Sequence, residues 1–162
     1  MAVSIKLAYQ DKDDLGQLFK EYTNSILAQG EEVADCLAAQ HYDDEINALE
    51  DKYGLPEGRL YIAWLDNQAA GCIALRKMDD DYCEMKRLYV RPGHRGRQIG
   101  RNLVDQVITD AKGIGYKHMR LDTFPFMDAA LGLYKQYGFY EIDRYYDNPT
   151  ATAIFMQLDL RS

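Results

Sequence analysis

Three strand-like segments follow one another almost without interruption, and this constrains the fold of the chain more than any other feature. Leu60–Leu65, Ala70–Arg76 and Tyr82–Val90 have strand length and strand composition. Asp66-Asn67 and Asp79–Asp81 supply the turns between them, which predicts an antiparallel meander. Pro92 and Gly93 break the third strand.

The rest of the chain alternates around this block. Val3–Ala8 reads as an opening strand, and Asp11 precedes a helix with Leu15, Leu18, Phe19, Tyr22 and Ile26 at helical spacing. A second helix is predicted near Asp35–Lys52, ended by Gly54 and Pro56. Beyond the meander come a helix near Gly96–Ala111, a strand at Lys117–Thr123 and a helix from Met127 to Tyr137, closed by Gly138. Strands at Phe139–Tyr145 and Thr152–Leu160 finish the chain, with the Asp147-Asn148-Pro149 turn between them. The order β-α-α-β-β-β-α-β-α-β-β predicts one α+β domain over residues 1–162, a mixed central sheet flanked by helices.

Composition excludes several classes. The net charge of −7 opposes nucleic acid as a partner, and no apolar run reaches the ~20 residues of a membrane helix. Met1–Lys6 shows no leader pattern, and three cysteines without C-x-x-C spacing suit a reduced, cytoplasmic protein. His41, His94 and His118 have no metal-ligand spacing, so no metal is expected.

Against that acidity, Lys86–Arg101 holds six cations and no acid. Within it, Arg95-Gly96-Arg97-Gln98-Ile99-Gly100-Arg101 lies where a strand gives way to a helix. The unpaired N–H groups and the helix dipole favour an anion there. Cations in a first turn are unfavourable by about 0.3–1 kcal/mol each, so Arg97 and Arg101 make sense beside a pyrophosphate. A Walker loop would need a Gly-Lys-Ser/Thr ending, and a Rossmann fingerprint three glycines at set spacing; neither is present.

The run Cys83-Glu84-Met85-Lys86-Arg87-Leu88-Tyr89-Val90-Arg91-Pro92, with the loop after it, resembles the central motif of the GNAT acetyltransferases. Arg95 and Gly100 match the family pattern Arg/Gln-x-x-Gly-x-Gly/Ala, whereas Gln98 replaces its first glycine. Ala130-x-x-x-Tyr134-x-x-x-Gly138-Phe139 resembles the second family signature, and the tail 145–149 is similar to an uncharacterised bacterial subgroup. The resemblance implies acetyl-CoA as co-substrate and direct transfer to an amine of a small molecule or peptide in a ternary complex.

It also implies roles. Glu84 falls near the position of a general-base glutamate in some members, although pairing with a cation such as Lys86 is the structural alternative. Tyr134 matches the tyrosine whose hydroxyl approaches the cofactor sulfur, although it also belongs to an apolar helical stripe. The backbone of Leu88, Tyr89 and Val90 would hold the pantetheine arm and the oxyanion at a bulge. Arg95, Gly96, Arg97, Gln98, Ile99, Gly100 and Arg101 would hold the phosphates. Tyr145 and Tyr146, with Tyr22, Tyr42 and Tyr53, are candidates for acceptor binding, for core packing or for a homodimer interface. A CoA-binding module without turnover is the alternative to an enzyme, motivated by Gln98.

Overall fold

The computed structural model describes residues 3–27, 48–94, 98–146 and 153–160. The elements run β1 (Val3–Leu7), α1 (Lys12–Leu27), α2 (Leu49–Tyr53), β2 (Arg59–Leu65), β3 (Gln68–Lys77) and β4 (Tyr82–Val90). A 3-10 turn (Pro92–His94) leads to α3 (Ile99–Ile114), β5 (His118–Thr123), α4 (Asp128–Tyr137), β6 (Tyr140–Ile142) and β7 (Ile154–Asp159). This is the predicted order. Most of the second predicted helix and the 147–149 turn lie outside the described residues. Element ends differ by a few residues: the helix expected over Gly96–Ala111 runs Ile99–Ile114 and is capped by Gly115, whose φ of 111° suits glycine. The strand expected over Phe139–Tyr145 is only Tyr140–Ile142.

The strands form one seven-stranded sheet in the order β1-β2-β3-β4-β5-β7-β6. β4 and β5 pair parallel, and the other neighbours are antiparallel. Both faces are covered, which explains the nearly unbroken apolar runs of β2 and β3. On one face α3 buries Ile99, Leu103, Val104 and Val107 against Tyr61, Ala63, Ile73, Leu75 and Met85. On the other, Leu15, Leu18 and Phe19 of α1 and Tyr53 of α2 pack on Leu60, Ile62, Cys72 and Ala74. Among the described residues no helix is long and apolar enough to cross a membrane.

Two irregularities in the centre of the sheet create the site. The first is a bulge: Cys72 pairs with Tyr89 but Ala74 pairs with Lys86, so β4 carries an extra residue. Arg87 takes φ 62° there, and its carbonyl accepts the Cys72 thiol at 3.3 Å. Gly71 is required beside it, since a Cβ at that position would lie 2.5 Å from the Tyr89 carbonyl oxygen. The second is a splay. β4 and β5 pair only through Tyr82↔His118, Cys83↔Met119 and Glu84↔Arg120, and then diverge. The bulged end of β4 is left without a strand on its β5 side.

Candidate active site

The splay opens into a cleft of about 780 Å³. One wall is the end of β4 (Leu88, Tyr89, Val90), another the start of α3 (Gln98, Ile99, Gly100, Arg101), and the third the face of α4 carrying Met127, Ala130, Leu133 and Gln136. Tyr22 and Ser25 of α1 complete it. The structure thus gathers Leu88, Tyr89, Val90, Gln98, Ile99, Gly100 and Arg101 around one space. Arg95, Gly96 and Arg97 lie outside the described residues.

The α3 end of the cleft has the chemistry of an anion site. The first N–H groups of a helix have no intrahelical acceptor and point out of its end. A Cβ at Gly100 would meet only Val90 and Leu133, at 3.7 and 3.8 Å, so its own neighbours do not demand glycine and close approach of a ligand would. The Arg101 guanidinium donates to the Gln136 side-chain oxygen and lies 5.6 Å from the Tyr137 ring centre, which ties α3 to α4. Arg91, at the end of β4, makes a two-pronged pair with Glu21 of α1 (3.0 and 2.9 Å) and donates to the Ala69 carbonyl. Burial opposes the Glu21 charge, but the bonds from Arg91 and Gln17 outweigh it and hold its pKa below the usual value.

Gln98 does not begin the helix as a helical residue. It is the N-cap, with φ 60° and ψ 22°, in the left-handed region. A side chain there costs of order 1 kcal/mol that glycine avoids. Gln98→Gly is therefore expected to raise the melting temperature by about 2–4 °C in thermal unfolding followed by circular dichroism. A fall would mean that the Gln98 side chain makes a compensating contact.

A second, smaller pocket of about 30 Å³ adjoins the cleft at the bulge, sharing Tyr22, Leu88 and Met127 with it. Its remaining lining comes from Met85, Lys86 and Arg87 of β4, from Asp122, Thr123 and Phe124 at the end of β5, and from Tyr134. Tyr134 is 6 % exposed, and its ring packs on Phe139 at 5.6 Å. Burial, then the nearby Tyr22 and Asp122, pushes its pKa well above 10, so the hydroxyl stays protonated as a donor.

Glu84 sits apart from this chamber and lines neither space. Its carboxylate is 1 % exposed and accepts Arg76 Nε at 2.6 Å on Oε1 and the Tyr145 hydroxyl at 2.6 Å on Oε2. Lys86 Nζ stands 3.8 Å from Oε1. Burial works against the charge, yet Lys86, Arg76 and the Tyr145 hydroxyl together keep the carboxyl below its ordinary pKa. Tyr145 and Tyr146 act as a pair: Tyr146 donates to Asp122 Oδ2 at 2.5 Å, and both rings pack edge-on against Phe155. The hydroxyls of the two tyrosines are thus committed to carboxylates of β4 and β5. Tyr53 is core, and Tyr42 lies outside the described residues.

Asp122 is a charged chamber residue that sequence reasoning did not single out, whereas Lys86 was named there as a partner for Glu84 and stands at ion-pair distance from it. The alternation of β5 separates Arg120 and Asp122 from the buried Met119 and Leu121, but nothing local says that the Asp122 end meets a bulge. Among the described residues no group of three or more His, Cys, Asp or Glu side chains could hold a metal.

Comparison with known proteins bears on this architecture. The acetyltransferase (GNAT) family pattern matches residues 21–139. An uncharacterized N-acetyltransferase of Schizosaccharomyces pombe is 37% identical over 153 residues, spanning 93% of this chain and 90% of that protein. The crystal structure of an acetyltransferase from Streptococcus agalactiae superposes with a TM-score of 0.79 at 26% identity, covering 97% of this chain and 98% of that one. A GNAT family acetyltransferase from Elizabethkingia anophelis with acetyl-CoA bound superposes at 0.55, with 29% identity over 68% of this chain and 81% of its own.

Proposed function

The chain belongs to the GNAT acetyltransferase family, and from that premise we propose that it moves an acetyl group from acetyl-CoA directly to a primary amine in a ternary complex. The observation that carries this is the continuity of one path: the α3 N-terminus, the bulged and unpaired end of β4, and then the chamber holding Tyr134. A pyrophosphate at the α3 end would leave the pantetheine arm running along Leu88–Val90, where it adds to the sheet edge as a strand would. Its thioester then reaches the chamber.

The amine must first lose a proton, since an amine like that of lysine, with a pKa near ~10.4, is almost wholly charged at neutral pH. Asp122 is the carboxylate facing the chamber, and it takes the proton-accepting role in place of Glu84. Glu84 acts one step behind, holding Lys86 and Tyr145. Attack on the carbonyl forms a tetrahedral oxyanion, for which the backbone N–H groups at the bulge are the donors. As the C–S bond breaks, the Tyr134 hydroxyl donates to the departing thiolate.

Thermal unfolding with acetyl-CoA is the primary test. At 100 times Kd the ligand adds about 2.7 kcal/mol, and the melting temperature is expected to rise by roughly 5–10 °C. Arg95→Ala or Arg97→Ala should shrink the rise. A protein whose melting temperature ignores acetyl-CoA would not carry this function, and one that responds but acetylates no amine would be a binding module.

A further inference from the structure

We propose that Lys86 binds a carboxylate of the acceptor, so that the amine acetylated here belongs to an amino acid or to another molecule with a carboxylate close to its nitrogen. This deepens, and rests on, the acetyl-transfer reading above. The Lys86 side chain is 7 % exposed, yet its nearest carboxylate oxygen, Glu84 Oε1, is 3.8 Å away, too far for a hydrogen bond. That oxygen already receives Arg76 at 2.6 Å, and the other receives Tyr145. Among the described residues the three N–H donors of Lys86 therefore have no acceptor within hydrogen-bond reach. The ammonium stands at ion-pair distance from Glu84 and keeps its donors for a further anion.

Lys86 is among the residues that line the chamber. Burial lowers its pKa, with Arg87 and Lys52 of α2 acting in the same direction and Glu84 and Asp122 opposing them. Any anion on Nζ shares a space of about 30 Å³ with Tyr134 and the bulge, so it must be compact and bonded near the reacting nitrogen. Asp122, on the facing strand, supplies the opposite charge in the same space. Lys86, beside Arg87, and the carboxylate of Asp122 line one small chamber, and opposite charges in one space complement a carboxylate and an amine borne by one small molecule.

Steady-state kinetics on matched acceptors tests this: phenylalanine against phenethylamine, and lysine against cadaverine. Loss of one charge-assisted hydrogen bond corresponds to about 10- to 100-fold, so the wild type should favour the amino acid by that factor in kcat/KM, chiefly through KM. Lys86→Met should collapse the ratio toward one, and Lys86→Arg should keep part of it. A wild-type ratio near one, or a Met variant that keeps the preference, would overturn the assignment. Where the Met variant does not fold, the wild-type ratio and the Arg variant decide. Absence of a thermal shift with acetyl-CoA would sink the underlying function; a normal shift with no amino acid acetylated would sink only the role of Lys86.

Discussion

Tyr134→Phe is expected to lower kcat about 10²- to 10⁴-fold while the thermal response to acetyl-CoA is retained. The substitution removes one oxygen and keeps the ring, which is 6 % exposed and packs at a tilt against Phe139. Packing changes little, so stability should move by well under about 1 kcal/mol. What disappears is the donor in the chamber beside Leu88. A thiol has a pKa near ~8.5, and a thiolate leaving into an enclosed pocket without a donor carries its charge unaided. Single-turnover acetyl transfer separates this step from product release. An unchanged rate would return Tyr134 to the core stripe formed by its helix and leave the thiolate to solvent.

Glu84→Gln is expected to act first on stability, lowering the melting temperature by roughly 6–12 °C, from a loss of about 3 kcal/mol. The carboxylate is 1 % exposed and is the counter-charge for both Arg76 and Lys86. The amide leaves these cations facing one another with no anion between them. The effect depends on pH. The folded carboxyl titrates below its ordinary value of 4.5, so its contribution is complete above that pH and is lost as pH falls through the folded value. The gap between wild type and variant should therefore close in acid. A variant with wild-type melting and a large fall in kcat would restore Glu84 as the base that its position in the strand suggests.

These two residues mark how far the sequence could be read. Tyr134 stands in a local pattern, four residues before Gly138 on a helix closed by that glycine, and in the structure it lines the chamber. Glu84 also stands in a local pattern, the alternating β4. A strand carboxylate looks the same in sequence whether it faces a ligand or a guanidinium. Its partners come from Arg76, directly across the β3–β4 register, and from Tyr145, 61 residues further along. The bulge was expected at the right strand, but no residue type announces that Arg87 takes a positive φ. Gln98 shows the reverse: the glycine missing from the resembling motif is missing where the backbone turns left-handed.

Interactions within a few residues, which one stretch of sequence holds complete, determined the order of elements, the meander turns and the placing of glycines and cations at the start of α3. Apolar spacing at period 2 or 3.6 and turn residues act at that range. Only the tertiary structure decided which charged side chains face the chamber. β4 and β5 separate after three paired positions, and the tail returns to commit Tyr145 and Tyr146 to Glu84 and Asp122. Lys86 and Asp122 line the chamber because their surroundings are assembled from strands and helices distant in sequence, and burial and pairing are properties of that assembly.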